Sequence, residues 1–392
     1  MKIRIGIRHN LLYPFLLIIF ITIRRIEVII IDEIFKYKGP FVFPVLIFLS
    51  KFSFGLIGFF YYNNYEKKPF KNHYIIIKKL SSFEIKSPDS NFKIIILIII
   101  ASIFDFLGTF MRKFSKDSKK ESTTDTLEHS VRSLQVFISA LLCYYTIRIK
   151  IYKHQLFSLI TIIMCIFLIF LAEMFCVKRD IYLKIISFLL TCFSCFCRAF
   201  LDTIEKYLFE FDFMNPFKCM MFEGLINTFL TLSLVFIFQV SLEDITTLLD
   251  IISRKFYIII FLVIYFLISG FKNIYRVITI KIYSPMTRAL CESIFDPFLV
   301  VYYIFQNDDE KDFFFWLYCG VILFASVIMP INSCIYNEFI VLYCCGLEHE
   351  THLEITKRSK TQSLNDNKFS DEEECIELEG EDYYLKLKSN NS

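Results

Sequence analysis

Ten stretches of this chain are long and apolar enough, or nearly so, to span a bilayer as helices. They cover residues 11–31, 40–62, 94–110, 131–147, 156–175, 181–200, 220–240, 256–278, 287–305 and 313–331. A hydrocarbon core of about 30 Å takes about 20 apolar residues in helical form. Lipid offers backbone groups no hydrogen-bond partner, so such segments must be helices rather than irregular chain. The expectation is an all-α polytopic membrane protein with about ten transmembrane helices. Several stretches are short, and Arg24, Arg25 and Glu27 interrupt the first. The composition agrees: 55% of residues are hydrophobic, and 47 Phe stand beside a single Trp.

The charged residues sort by region. The net charge of +3 conceals an acidic tail and basic residues gathered near apolar boundaries. No dense basic stripe exists to neutralise phosphates, which argues against nucleic acid as a partner. Lys2, Arg4 and Arg8 precede the first apolar run, yet "RRIEV" follows it in place of a small-residue cleavage site, so a retained helix is expected. Basic loops mark the cytosolic side. Lys67, Lys68, Lys71, Lys78 and Lys79 after the second stretch fit a cytosolic N-terminus, as do Arg148, Lys150 and Lys153 after the fourth. The acidic loops "SLEDITTLLD" and "QNDDEKD" then face outward, while the basic "RKFSKDSKKESTTDT" runs against the rule.

The thirteen cysteines fall mostly in apolar runs, as in Cys192, Cys195 and Cys197 of "TCFSCFCRAF", where they read as small core hydrophobes. No metal site or cofactor is expected. Residues 1–346 form the membrane domain and residues 347–392 an acidic disordered cytosolic tail. The tail holds Ser370 before three acids, a phosphorylation context, and "YLKL" from Tyr384 to Leu387, which has the form of a sorting signal for adaptor proteins.

Charges within the apolar runs cost about 2.5–3.5 kcal/mol each at a helix centre. They include Lys51, Asp105, Arg132, Glu173, Arg198, Asp202, Glu223, Lys272, Arg276, Arg288, Glu292 and Asp296. Arg132, Lys272 and Arg276 sit where a long side chain can snorkel to the interface. The shorter Asp105, Glu223 and Glu292 have less reach. Arg288 and Glu292, at i and i+4, can pair on one helix face. The pair either neutralises itself structurally or faces a ligand path. Pro297, one residue past Asp296, is expected to kink that helix or break a turn there.

In order along the chain, these polar landmarks resemble the drug/metabolite transporter superfamily. The resemblance is greatest to the solute carrier 35 family, nucleotide-sugar-transporter-like, and its F-type subgroup. It rests on Asp105, Gly108 and Thr109 in "FDFLGTF", on Arg132 and Gln155, and on Glu205, Lys206, Pro216, Glu223 and Gly224. It continues through Asn273, Lys281, Thr287, Arg288, Glu292 and Ser293 to Tyr336 and Asn337. Lys51 stands where the family usually carries Glu, and Phe295 stands where a second Arg is expected. The resemblance implies two inverted five-helix repeats rocking about a midplane site. The third, fourth, eighth and ninth helices would line it, with Asp105, Arg132, Glu223, Asn273, Lys281, Arg288 and Glu292 as substrate-binding or gating residues. Lys281 would stand at the cavity mouth.

The function expected is secondary transport of a small organic solute, nucleotide-sugar or anion-like, by alternating access. The alternative is a non-transporting scaffold or receptor acting through the tail. An enzyme is not expected: His9, His73, His129, His154, His349 and His352 all flank the apolar runs, and "HETH" at 349–352 is too close-set for a helical zinc motif. The partners expected are the solute, the lipid bilayer, sorting adaptors at Tyr384–Leu387 and a second copy of the chain as a homodimer. The location expected is an integral endomembrane one (Golgi, endosome or lysosome), with the plasma membrane as the alternative.

Overall fold

The computed structural model describes residues 12–37, 41–65, 91–117, 131–148, 151–176, 181–212, 214–237, 239–306, 313–338 and 340. Among them the secondary structure is helical, without strands. The helices are α1 (Leu12–Phe35), α2 (Val42–Tyr65), α3 (Asn91–Asp117), α4 (Leu134–Thr146), α5 (Lys153–Cys176) and α6 (Ile181–Glu210). They continue with α7 (Pro216–Ile237), α8 (Gln239–Arg254), α9 (Ile258–Ile282), α10 (Pro285–Ser293), α11 (Asp296–Gln306) and α12 (Phe313–Tyr336). Six segments are long and apolar enough to cross a membrane: Val42–Asn63, Phe92–Met111, Lys153–Cys176, Lys184–Glu210, Ile258–Ile282 and Phe313–Tyr336. The acidic tail, with Ser370 and Tyr384–Leu387, lies outside the described residues, as does the basic loop at 66–90.

Polarity is distributed inside out relative to a water-soluble bundle. Phe92, Phe175, Phe229 and Phe305 are each at least 70% exposed, whereas Ser50, Asp202, Glu205, Glu223 and Asn227 are completely buried. Water would reverse that arrangement; lipid favours it. Together with the six apolar segments, this defines an all-α integral membrane protein.

The bundle is assembled from α2 against α7, α3 against α6, α5 against α12, and α1 against α9. Small residues set the closest of these contacts. A Cβ added at Gly55 would lie 2.7 Å from the Met221 nitrogen, and one at Gly224 would overlap the Phe52 backbone. Two glycines facing opposite helices thus let α2 and α7 approach backbone to backbone.

The stretch at 287–305 is broken next to Pro297, as expected: α10 ends at Ser293, a turn occupies 294–295, and α11 starts at Asp296 with Pro297 in its first turn. A proline is well placed there, because its missing N–H would have had no helical partner. Ser284 caps α10 by accepting from the Thr287 N–H at 3.1 Å, with Pro285 as the first helical residue. The acidic "SLEDITTLLD" is part of α8 rather than a loop. Asp244 on α8 accepts from the Phe41 and Val42 N–H groups at 3.0 and 3.1 Å, satisfying donors at the start of α2. Burial, with the Asp244 carboxylate next to it, pushes the Tyr37 phenol above its ordinary value. The ten cysteines among the described residues are free, and most are buried, in keeping with a packing role.

Candidate functional site

A cavity of about 170 Å³ lies among α1, α2, α3, α6, α9, α10 and α11. Its charged lining is unequal. Arg24, Arg25, Lys51, Arg198, Lys272, Arg276 and Arg288 border it, against the single carboxylate of Asp105. Thr109, Tyr265 and Asn273 add neutral polar groups, and Val28, Phe43, Ile47, Leu201 and Leu299 supply apolar wall.

Buried charges survive only when partnered, and here the partners come from behind the lining. Lys51 lies 2.8 Å from Asp105 and 2.5 Å from Glu223, and Asn227 donates to the same Asp105 oxygen at 3.0 Å. Arg276 reaches Asp202 at 3.0 Å, pairs with Glu205, and lies 3.8 Å from Glu223. Arg288 bridges Asp202 at 2.9 Å and Glu292 at 2.8 Å. Glu292 is also held by Lys272 at 3.2 Å and Arg198 at 3.5 Å. Gln135 donates to Asp202 at 2.8 Å. On the far side, Arg132 and Arg25 meet on one oxygen of Asp296 at 3.0 and 3.1 Å. The Arg288–Glu292 pair does form, as one link in a network joining α2, α3, α6, α7, α9 and α10.

Some cavity groups keep unused capacity. Nδ2 of Asn273 and Nε of Arg288 are buried donors without an acceptor among the described residues. Arg24 forms no hydrogen bond or ion pair with any described residue. Uncompensated donors on a cationic wall are a chemical match for an anion that accepts hydrogen bonds.

Of the residues singled out from the sequence, Asp105, Asn273 and Arg288 line the cavity. Glu223 and Glu292 stand one layer back, bound to lining cations. Arg132 is tied to Asp296 and does not border the cavity. Lys281 lies elsewhere: it is exposed near the end of α9, with its Nζ 5.8 Å from the centre of the Tyr62 ring. Arg132, Lys272 and Arg276 do not snorkel; they are 5%, 6% and 4% exposed, because carboxylates on neighbouring helices hold them inside. The fourth stretch contributes nothing to the lining, whereas α1, α2 and α6 do. In the sequence Arg24 and Arg25 read as an interruption of an apolar run, and Lys51 as a charge within one and a departure from a family pattern; none of the three is among the candidate site residues there. A charge inside an apolar run was the available signal for all three.

No family model matches the chain, and no curated protein matches it. A solved structure titled only "Crystal structure of protein" is similar at 10% identity, over 82% of this chain and 97% of its own, with a TM-score of 0.45. A likeness of that degree carries no property across.

Proposed function

We propose that this chain is a secondary transporter of a small organic anion. The observation that carries this reading is the cavity wall, with seven cations against one carboxylate. Six of these cations are paired with carboxylates, mostly from behind the wall. An anion arriving in the cavity meets the Arg24 guanidinium and the unused donors of Asn273 and Arg288. Specificity for charge then follows without any covalent chemistry.

Alternating access needs a crossing that can bend near the site. The α10–α11 break supplies one, with Arg288 before it and Leu299 after it, both on the cavity wall. Broken helices at midplane sites are a recurring device of transporters. In this reading α1, α4 and α7 join the six apolar helices, α10 and α11 count as one broken crossing, and ten crossings result. That is the number implied by the resemblance to the solute carrier 35 family and its inverted repeats. An endomembrane location belongs to the same reading.

The test is exchange in proteoliposomes against a panel of nucleotide sugars, nucleotides and small organic anions, with wild type and Arg24→Gln. Saturable flux that the variant loses, while still folding and inserting, supports the reading. Flux of cations or neutral solutes in place of anions overturns it.

A further inference from the structure

Glu27 differs from the other buried acids among the described residues. It is 5% exposed, and neither of its carboxyl oxygens has a hydrogen-bond partner among those residues. Asp105, Asp202, Glu205, Glu223, Glu292 and Asp296 each lie within ion-pair distance of a cation, and Glu173 accepts from the Tyr318 hydroxyl at 2.7 Å. Asp244 serves the start of α2. A carboxylate left ionised in such a place bears the desolvation cost alone, and a bound proton removes it.

The position of Glu27 connects it to the cavity. Arg24, one turn earlier on α1, lines the wall. Arg25, on the same turn, is held by Asp296 of α11. Among the described residues, charged or titratable groups on the elements packed against α1 include Tyr265, Lys272 and Tyr275 of α9, Arg288, Cys291 and Glu292 of α10, and Asp296 and Tyr302 of α11. Arg276 of α9 is bound to Asp202 and Glu205.

We propose that Glu27 is a proton-binding site coupled to the anion site, taking up a proton when the cavity takes up an anion. This rests on the anion-carrier reading and deepens it. Arg24 stands three residues away on the same helix, and its positive charge opposes protonation of Glu27. An anion at the wall weakens that opposition, so Glu27 holds a proton from water more tightly. By linkage, a lower pH tightens anion binding, and proton and anion occupy the carrier together. The net movement is symport of the two.

The experiment uses the full chain in detergent, inorganic pyrophosphate as the probe, and infrared difference spectra of the protonated-carboxyl carbonyl band. Without ligand, as pH rises from about 5 to about 9, wild type is expected to lose a band that Glu27→Gln lacks and Glu27→Asp retains at a shifted position. Identical titrations in wild type and Glu27→Gln overturn the proposal. Pyrophosphate at fixed pH is expected to increase that band in wild type. Its affinity by calorimetry is expected to tighten by up to about tenfold per unit of falling pH, the limit for one linked proton. Glu27→Gln, which resembles the protonated form, is expected to keep only the pH dependence that pyrophosphate's own ionisation imposes. The same pH dependence in wild type and variant overturns the coupling. Absence of pyrophosphate binding in either overturns the anion site and the coupling with it, even where the Glu27 band itself titrates.

Discussion

Lys51 of α2 and Glu223 of α7 form their ion pair beside the point where Gly224 touches the α2 backbone at Phe52. The small residue and the charge pair are one device. Without the close approach, a lysine and a glutamate on facing helices would each be stranded in a low-dielectric interior.

Gly224→Ala is therefore expected to push α2 and α7 apart and destabilise the bundle by about 1–3 kcal/mol. Gly320→Ala is the control, since nothing lies within 4 Å of a Cβ built there. Thermal unfolding in a single detergent compares them. Equal midpoints for the two variants would refute the close-packing argument.

Removing the cation from this pair should cost more than removing the whole cluster. Lys51→Met leaves Asp105 and Glu223 without their nearest cation and is expected to destabilise by about 3–5 kcal/mol. Adding Asp105→Asn and Glu223→Gln should recover most of the loss. A multi-mutant cycle of unfolding free energies measures the coupling, and strict additivity would contradict it.

Arg24 and Arg276 both border the cavity, but only Arg276 is bound to buried carboxylates. Arg24→Gln is expected to leave unfolding nearly unchanged while weakening anion binding about tenfold or more, the worth of one charge-assisted hydrogen bond. Arg276→Gln should instead lower stability sharply. The comparison is calorimetry on one axis and thermal unfolding on the other; the same profile for both variants would erase the distinction.

Asp244 holds the start of α2 and sits beside Tyr37. Asp244→Asn replaces an anionic acceptor by a neutral one and is expected to cost about 1 kcal/mol of stability. It also removes the negative charge that adds to burial in raising the Tyr37 pKa, so tyrosinate should form at a lower pH than in wild type. Alkaline titration of tyrosinate absorbance, with Tyr37→Phe to assign the signal, tests the direction.

The sequence disclosed what is local. Most apolar runs fall within a single helix, because runs of that length in lipid leave the backbone little other choice, while the run at 287–305 is divided between α10 and α11. The Arg288–Glu292 pair could be read from its spacing, since four residues is one turn. Pairs such as Arg276 with Asp202, or Lys51 with Glu223, join distant helices and depend on how those helices rotate and cross, which spacing does not encode. The charges of α1 read as a flaw in an apolar run because their meaning lies in α11 and the cavity. The α8 helix escaped notice because acidic residues alternate with its apolar ones, and Asp244 gains its role only against α2.

Glu292 is held at once by Arg288, Lys272 and Arg198. A carboxylate tied three ways can release one cation and stay bound to the others. In the proposed carrier, Arg288 would leave Glu292 for an incoming guest while Lys272 and Arg198 keep that carboxylate paired, so that loading and unloading would be an exchange of partners.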